Sequence, residues 1–440
     1  MFLNVSQYFK PISISLSPNT EADDVWAAFV LLFQPWRWQK GGQAPLLEEE
    51  FQKYLGVKYA FSFNSGRSAF LAILDSLGLQ KGDEVLIQAF TCNAVPNPIL
   101  WSGLKPVYVD CQEDYNMSPA DLEQKITLRL RSGQAPKVVL VQHTFGLPAD
   151  MDKIQEICTK HNLILLEDCA HALGAVYKGK KVGTFGKAAF FSFSRDKVIS
   201  CVYGGMAVTD DEIISNKLKA YQKSVGVPSL FWIYQQLLHP VFMNLKILPT
   251  YKIFGWGKIS LRLYQQLQLL SKAVHKKEKR GERPGYFPKA LPNGLAILAR
   301  KQLQKLERFN FHRKEIAALY TQALSATSYK LPFDFAQGGQ DTSLEKDHIF
   351  LRFPVRHPKA HEIIKRAWRQ NLLLGDWYTT PIAPHDTQIE KMGYEWGSCP
   401  IAEKLAKTMF NLPTHIRISK KEANKVIQFL KSVETKLDLV

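Results

Sequence analysis

Short apolar runs alternate with amphipathic segments through the first half of the chain. The apolar runs are YAFSFN (59–64), EVLIQ (84–88), KPVYVD (105–110), KVVLVQ (137–142) and LILLED (163–168). The segments 65–79, 118–130 and 150–161 carry apolar residues at three- and four-residue spacing, which is typical of helices with one buried face. This alternation predicts an α/β fold in which helices sandwich a mostly parallel sheet.

Polar residues follow these apolar runs at the ends where the strands would stop. They are NSGRS (64–68), QHTFG (142–146), EDCAH (167–171) and, after the apolar run that begins at Phe190, Lys197. Ligands bind beyond the carboxyl ends of the strands in sheets of this kind. We therefore expect these residues to meet at one edge of the sheet and to form a site.

Ser65, Gly66 and Arg67 open the helix that follows the first apolar run. Backbone N–H groups at a helix start, a small residue and a cation suit a phosphate group. The same three residues also suit an ordinary turn with a helix cap. Both interpretations stay open on these residues alone.

Asp168 and Lys197 are the two charged residues with the most apolar surroundings. A buried carboxylate at the end of LILLED needs a cation or a strong donor, such as a protonated pyridine nitrogen; the alternative is a structural cap. Burial of Lys197 would lower its pKa and free the amine for a Schiff base, whereas the alternative is a surface lysine. A phosphate cradle, a pyridine-facing carboxylate and such a lysine together predict pyridoxal 5'-phosphate (PLP) as the cofactor.

Most of the chain resembles the PLP-dependent sugar aminotransferases of the DegT/DnrJ/StrS family. The matching stretches are 41–74, 81–110, 143–154, 165–211, which includes LLEDCAH and FFSFSRDK, and 399–422. The resemblance implies a fold-type-I PLP-transferase with a smaller α+β C-terminal domain. It also implies a homodimer with active sites at the subunit interface.

The resemblance assigns roles to the site residues position by position. Lys197 would bind PLP covalently and later move a proton, and Asp168 would pair with the pyridinium nitrogen. His171 would lie beside the phenolic oxygen of the ring. Ser192 would bind the phosphate together with Ser65, Gly66 and Arg67.

Three positions depart from the family pattern. Cys92 occupies the position of an aromatic residue that stacks on the cofactor ring, and Phe90 is a candidate to compensate. Arg67 replaces a threonine. The loop with an Asn and an Arg that reach the partner subunit's phosphate is missing from 285–306, and we expect Arg67 to supply the lost contact.

Residues 224–290, which we call the basic segment, carry much of the net charge of +17. They contain eleven Lys and Arg residues against Glu278 and Glu282. The segment is rich in Trp, Phe, Tyr and Leu, which predicts helices that either pack on the body and the dimer interface or touch an anionic membrane surface. A spanning helix is not expected, because the uncharged run 224–245 contains polar residues and two prolines. Nucleic acid binding is not predicted, since no recognised motif accompanies the charge.

The remaining features bear on compartment and domains. Six scattered cysteines without a metal-ligand spacing predict free thiols and no metal site. Free thiols are typical of the cytoplasm, so we expect a cytoplasmic protein. A peripheral position at the inner face of the membrane is the alternative. Residues 1–19 show no signal peptide. We expect a PLP-binding domain at 1–223, the basic segment, and a long helix with a small C-terminal domain at 291–440.

The predicted function is amino transfer from glutamate or glutamine to a keto-sugar on a nucleotide or lipid carrier, for cell-surface polysaccharide or amino-sugar biosynthesis. A first alternative is a PLP enzyme with another outcome, such as sugar dehydration; relatives of that kind replace the lysine with histidine, and Lys197 argues against it. A second alternative is a non-catalytic, membrane-associated scaffold or regulatory protein that keeps the fold.

Overall fold

A computed structural model describes residues 10–332 and 345–437. Part of the predicted N-terminal segment, residues 1–9, lies outside the described residues. The same holds for 333–344 and 438–440 of the predicted C-terminal domain.

The strands and helices follow each other along the chain. The strands are β1 (Ile12–Ser13), β2 (Tyr59–Phe63), β3 (Glu84–Gln88), β4 (Thr91–Cys92), β5 (Lys105–Val109), β6 (Val138–Gln142), β7 (Ile164–Asp168), β8 (Val176–Tyr177), β9 (Lys180–Lys181), β10 (Ala188–Ser192), β11 (Gly205–Thr209), β12 (Lys346–Asp347), β13 (Phe353–Arg356), β14 (Leu372–Leu373), β15 (Ile382–Ala383) and β16 (Met409–Leu412). The α-helices are α1 (Ala22–Leu32), α2 (Gln43–Leu55), α3 (Gly66–Ser76), α4 (Pro96–Trp101), α5 (Pro119–Arg131), α6 (Met151–Lys160), α7 (Glu212–Val225), α8 (Leu230–Phe242), α9 (Trp256–Gln266), α10 (Asn293–Leu303), α11 (Leu306–Leu324), α12 (Ala360–Arg369), α13 (Pro400–Thr408) and α14 (Lys420–Leu437).

A seven-stranded sheet forms the centre of the fold, with the strand order β2-β11-β10-β7-β6-β3-β5. The neighbours from β10 to β5 are parallel, and β11 runs antiparallel to both β10 and β2. The five predicted apolar runs are β2, β3, β5, β6 and β7, so the predicted fold class is confirmed. In register, Gln142 pairs with Asp168, and Asp168 pairs with Phe190. The polar strand ends therefore meet at one edge.

Local capping explains why the predicted helices begin where they do. The Ser65 side chain accepts a hydrogen bond from the Ser68 N–H and starts α3. Ser118 caps α5 in the same way, with Pro119 at the first helical position, as predicted.

The long helix that the sequence predicts after residue 291 is two helices, α10 and α11. The chain leaves helical geometry at Lys305, whose φ is −97° and ψ −3°. The Lys305 ammonium contacts the carboxylates at the start of α1, with Nζ 3.0 Å from Asp24 and 3.3 Å from Glu21. These contacts fix the break, which no proline or glycine marks in the sequence.

The basic segment packs on the central domain through α8. Trp232, Ile233 and Leu237 of α8 belong to the same buried cluster as Phe51 of α2 and Phe191 of β10. Among the described helices, none combines the length and the apolar character needed to cross a membrane. The predicted boundaries at 223 and 290 stay predictions.

Candidate active site

A cavity of about 190 Å³ lies at the carboxyl edge of the parallel strands. Seven of the eight predicted site residues line it: Gly66, Arg67, Cys92, Asp168, His171, Ser192 and Lys197. The eighth, Ser65, is buried directly behind it as the cap of α3. The structure thus brings together residues that are up to 132 positions apart in the chain.

One end of the cavity is formed by the N-terminus of α3 and by Ser192. The first N–H groups of a helix have no acceptor within the helix, so they point at whatever lies before it. A Cβ on Gly66 would lie only 3.0 Å from the Ser192 Cβ, which explains the glycine. Ser194, which we had not predicted, also lines the cavity, and its Oγ lies 3.3 Å from the Ser192 Oγ. Helix N–H groups and two hydroxyls make a donor set that suits a phosphate.

Arg67 lines this end of the cavity, but its guanidinium is already paired. It forms a salt bridge with Glu278 of the basic segment, and both side chains are buried. Its Cζ also lies 4.7 Å from the centroid of the Phe287 ring. Burial acts to lower the pKa of Arg67, but this pKa is raised, because the combined attraction of its neighbours, with the Glu278 carboxylate first among them, is larger than the opposing effect of burial. The expected phosphate contact of Arg67 stays a prediction, since the cation shares its charge with Glu278.

Arg195 is a second buried cation at the cavity that sequence reasoning missed. Its guanidinium donates to the Ser271 hydroxyl, and its Cζ lies 5.5 Å from the centroid of the Tyr203 ring. Its buried Nε has no hydrogen-bond partner among the described residues. Because an unpaired buried donor costs free energy, the Nε is a place for an anionic ligand atom.

Asp168 lines the cavity from the end of β7. One carboxylate oxygen accepts a hydrogen bond from the Ala170 N–H at 2.9 Å. Burial raises the pKa of Asp168 to about 6, against the opposing effects of that N–H and of Lys197. A buried carboxylate whose neighbours do not fully offset its burial favours a cationic N–H partner, which a protonated pyridine nitrogen provides.

The raised pKa of Asp168 predicts a pH dependence of stability. Between about pH 4 and about 6 the folded, cofactor-free protein holds a proton on Asp168 that the unfolded chain has released. The free energy of unfolding should therefore fall as the pH rises through this window, and Asp168→Asn should remove that part of the slope. Urea unfolding midpoints at several pH values test this, with exposed Asp75→Asn as the control. Equal slopes in wild type and Asp168→Asn would contradict it.

Lys197 reaches the cavity from the turn between β10 and β11. The side chain is partly buried, and this burial lowers its pKa, while Asp196, Cys92 and Asp168 act in the opposite direction. The Asn19 side-chain amide donates to the Lys197 carbonyl, which fixes the backbone of the turn. A lysine with a lowered pKa keeps more of its amine neutral and therefore nucleophilic.

His171 lies on the wall between Lys197 and the C-terminal domain. Its ring stacks on Trp377 at a centroid distance of 5.3 Å. Burial lowers the pKa of His171 well below its ordinary value, so the ring is neutral. The Phe145 N–H donates to Nδ1 at 3.4 Å, which leaves the proton on Nε2, 3.5 Å from the Tyr378 hydroxyl. His171 can thus donate one hydrogen bond without carrying charge.

Cys92 lines the cavity at the position where the family pattern has an aromatic residue. Phe90, the suggested replacement, is fully buried with its ring against Tyr378 and Phe145, and it does not line the cavity. That suggestion is wrong, because φ of +64° at Phe90 turns its side chain into the core. Trp377 is the aromatic side chain beside the reactive groups, with its ring centroid 4.6 Å from the Lys197 Nζ.

The C-terminal domain closes the cavity with the loop 374–385. Thr91 and Cys92 pair with Ile382 and Ala383 as parallel strands, which binds this loop to the cavity. Arg352 was missed, because a single arginine in an apolar run gives no signal. Its Cζ lies 3.3 Å from the centroid of the Trp377 ring.

The residues present fit PLP on the chemistry of their donor set. The helix N-terminus, two serines and the unpaired Nε of Arg195 suit the phosphate, and the buried carboxylate of Asp168 suits the ring nitrogen. Lys197 offers an amine at the same cavity.

Two curated proteins match a little under half of the chain at moderate identity. EpsN of Bacillus subtilis (strain 168), described as a candidate pyridoxal phosphate-dependent aminotransferase, is 37% identical over 193 residues, which are 44% of this chain and 50% of EpsN. A GDP-perosamine synthase of Escherichia coli O157:H7 is 36% identical over 45% of this chain and 53% of its own length. The alignments thus span about half the length of these two relatives.

Solved structures match over nearly the whole chain. PseC of Helicobacter pylori, an aminotransferase involved in the biosynthesis of pseudoaminic acid, superposes with a TM-score of 0.73. The match covers 97% of this chain and 100% of PseC at 21% identity. At this identity the likeness shows the shared fold.

A family model provides the assignment that the motifs and the site had indicated. The model described as the DegT/DnrJ/EryC1/StrS aminotransferase family matches residues 21–236 and 261–431, which is most of the chain. The predicted family is thereby confirmed: the chain belongs to the DegT/DnrJ/EryC1/StrS aminotransferase family.

Proposed function

We propose that this protein is a PLP-dependent aminotransferase that moves an amino group from glutamate or glutamine to a keto-sugar on a nucleotide or lipid carrier. The observation that carries the proposal is the joint placement of partly buried Lys197, buried Asp168 and a helix start that suits a phosphate on one cavity. The biosynthesis of amino sugars or cell-surface polysaccharides is the setting for such a reaction.

Each residue of the cavity has a definite task in this proposal. PLP, when bound, supplies the electron sink that stabilises negative charge on the substrate carbon. Lys197 would hold the cofactor through its amine and would move the proton at its Nζ. Asp168 keeps the ring nitrogen protonated, and neutral His171 donates from Nε2. Trp377 covers the reactive groups and excludes water.

The spectrum of the purified protein with PLP tests this function. The wild type should show the visible absorption band of lysine-linked PLP, and excess glutamate should convert it to that of pyridoxamine phosphate. A keto-sugar nucleotide should then restore the first band. A protein without any PLP band would support the scaffold alternative, and a band that neither glutamate nor glutamine changes would rule out these donors.

A second, larger opening next to the cavity suits the carrier of the sugar. This basic cleft has a volume of about 980 Å³ and is lined by five glutamines, by Lys272, His275, Lys276 and Lys289, and by aromatic side chains such as Trp232 and Tyr286. No carboxylate is among its described lining residues. Cations attract a diphosphate, while glutamines and aromatic rings suit sugars and bases.

The chain segment 271–276 forms the wall between the basic cleft and the cavity. Ser271 and Lys272 face the cleft, and the following Ala273 and Val274 face the cavity. The Tyr203 hydroxyl of the cavity donates to the Lys272 carbonyl, which joins the two sides. A substrate can therefore place its carrier in the cleft and its sugar in the cavity.

Removing one lysine of the basic cleft should weaken the binding of the carrier. Lys272→Ala and Lys276→Ala are each expected to raise KM for a nucleotide-linked keto-sugar by about two- to fivefold, because exposed charge pairs contribute little each. The KM for glutamate and kcat should stay near wild type. Steady-state kinetics check this, with Lys219→Ala on α7 as the control. An unchanged sugar KM in both cleft variants would place the carrier elsewhere.

Two further elements belong to this proposal. A homodimer with active sites at its interface remains a prediction of the family resemblance. We also infer a cytoplasmic enzyme whose basic segment contacts the inner face of the membrane, and the charge and exposed aromatic residues of that segment support it.

A further inference from the structure

Helix α9 exposes an apolar stripe to solvent. Phe254, Trp256, Ile259, Leu263 and Leu267, which we call the outer face, are between 47% and 92% exposed. The spacing of three and four residues from Trp256 to Leu267 places these side chains on one side of the helix. A soluble helix normally turns such a stripe to the core, so the outer face needs an explanation.

The other sides of α9 account for its attachment to the protein. Gly257 is its one buried residue, and a Cβ there would lie 2.3 Å from the Ile247 carbonyl oxygen. Leu261 and Tyr264 pack on the cluster that contains Ile247. The helix is thus fixed by one side, and the outer face lies on another.

Most of the charge near the outer face is positive, although Glu422 of α14 acts on Lys252 and opposes the lowering of its pKa by burial. Lys246, Lys252, Lys258 and Arg262 are exposed on α9 or on the turns before it. The stretch 224–277 contains no Asp and no Glu. An apolar stripe accompanied by several exposed cations is typical of helices that lie in the interface of an anionic bilayer.

We propose that the outer face docks on an anionic lipid surface, with the four cations at the headgroups. In a two-fold contact with a second copy, the patch would meet itself, and no carboxylate of 224–277 could compensate the facing cations. Anionic headgroups supply that compensation. At 11 residues, α9 is about 16 Å long, so it lies on the membrane and does not span it.

Part of the outer face lies in a stretch of the chain that the family model does not match, which supports a role for this face that is specific to this protein. Residues 237–260 fall between the two stretches that match the family model, and they include Phe254, Trp256 and Ile259. The chain runs from α9 through Leu270 directly to the wall of the basic cleft. This inference rests on the proposed function, because it names the surface by which the enzyme would contact the membrane. Such a contact would bring the basic cleft close to carriers at the membrane.

Co-sedimentation with vesicles tests the docking. The PLP-loaded full chain should bind vesicles of equal parts phosphatidylcholine and phosphatidylglycerol at low salt, and should release them at high salt or without phosphatidylglycerol. The double variant Trp256→Glu/Leu263→Glu should lower this binding at least about tenfold. The control Trp396→Glu/Leu128→Glu changes the same residue types at exposed positions elsewhere and should bind as wild type.

Each result decides a separate question. Absence of vesicle binding by the wild type, or an equal loss in the control, would overturn the docking. A change of oligomeric state in Trp256→Glu/Leu263→Glu without vesicles would assign the outer face to a second copy. The PLP band and its response to glutamate, measured on the same samples, should stay unchanged in the variant. If that response is missing in the wild type while vesicle binding persists, the proposed function fails and the docking stands.

Discussion

Lys197→Ala should abolish amino transfer while the protein still folds and still holds PLP weakly. The turn between β10 and β11 is fixed by backbone contacts, including the Asn19 amide on the carbonyl of residue 197, so loss of the side chain leaves the turn in place. The variant loses both the covalent attachment and the group that moves the proton. General acid–base catalysis by a positioned side chain contributes about 10² to 10⁴-fold, so kcat should fall by at least that range.

A matched lysine variant separates this effect from a general loss of charge. Lys187 precedes β10, is exposed, and pairs with Asp211 at 2.7 Å. Lys187→Ala should keep the lysine-linked PLP band and the response to glutamate. If Lys197→Ala also keeps that band, another amine holds the cofactor and the role of Lys197 is wrong.

Glu278→Ala should be among the most destabilising single substitutions in the chain. It removes the partner of buried Arg67 and leaves a cation without compensation inside the protein. Breaking a buried pair in this way costs about 3–5 kcal/mol. The substitution also removes the acceptor of the His275 N–H, which lies 2.8 Å from the Glu278 carboxylate. The basic segment should therefore loosen at its contact with the cavity.

The other acidic residue of the basic segment offers the control. Glu282 lies 3.5 Å from Arg280 with both side chains about half exposed, and such a pair contributes at most about 1 kcal/mol. Denaturant midpoints of Glu278→Ala and Glu282→Ala should differ accordingly. Arg67→Met/Glu278→Leu should recover most of the loss, because an apolar pair leaves no unpaired charge. Equal midpoints for the two single variants would contradict the buried pair.

The sheet and half of the site could be predicted because their signals are local. Each buried strand is a mostly apolar run, and each polar residue of the site stands at the end of its run or a few positions after it, as Asp168 stands at the end of β7. A parallel sheet then brings the strand ends together whatever the intervening sequence. The positions of Ser192, His171 and Lys197 at one cavity follow from this order.

The rest of the site depends on contacts between distant parts of the chain. Glu278 stood out in the sequence only as one of two acidic residues in a basic segment, and nothing there indicated Arg67 as its partner, 211 positions away. Arg352 reaches Trp377 from a domain whose packing the sequence does not specify. The break at Lys305 likewise arises from carboxylates on α1, and the local helical pattern continues across it.

The salt bridge between Arg67 and Glu278 makes the cavity and the basic segment thermodynamically linked. Arg67 opens the helix that faces the phosphate site, and Glu278 belongs to the segment whose Ala273 and Val274 line the same cavity. If packing of the basic segment on the central domain raises the affinity for a cofactor by some factor, cofactor binding stabilises that packing by the same factor. The basic segment would therefore influence how strongly the cavity binds its cofactor. Shortening this segment should change the saturation of the enzyme with its cofactor.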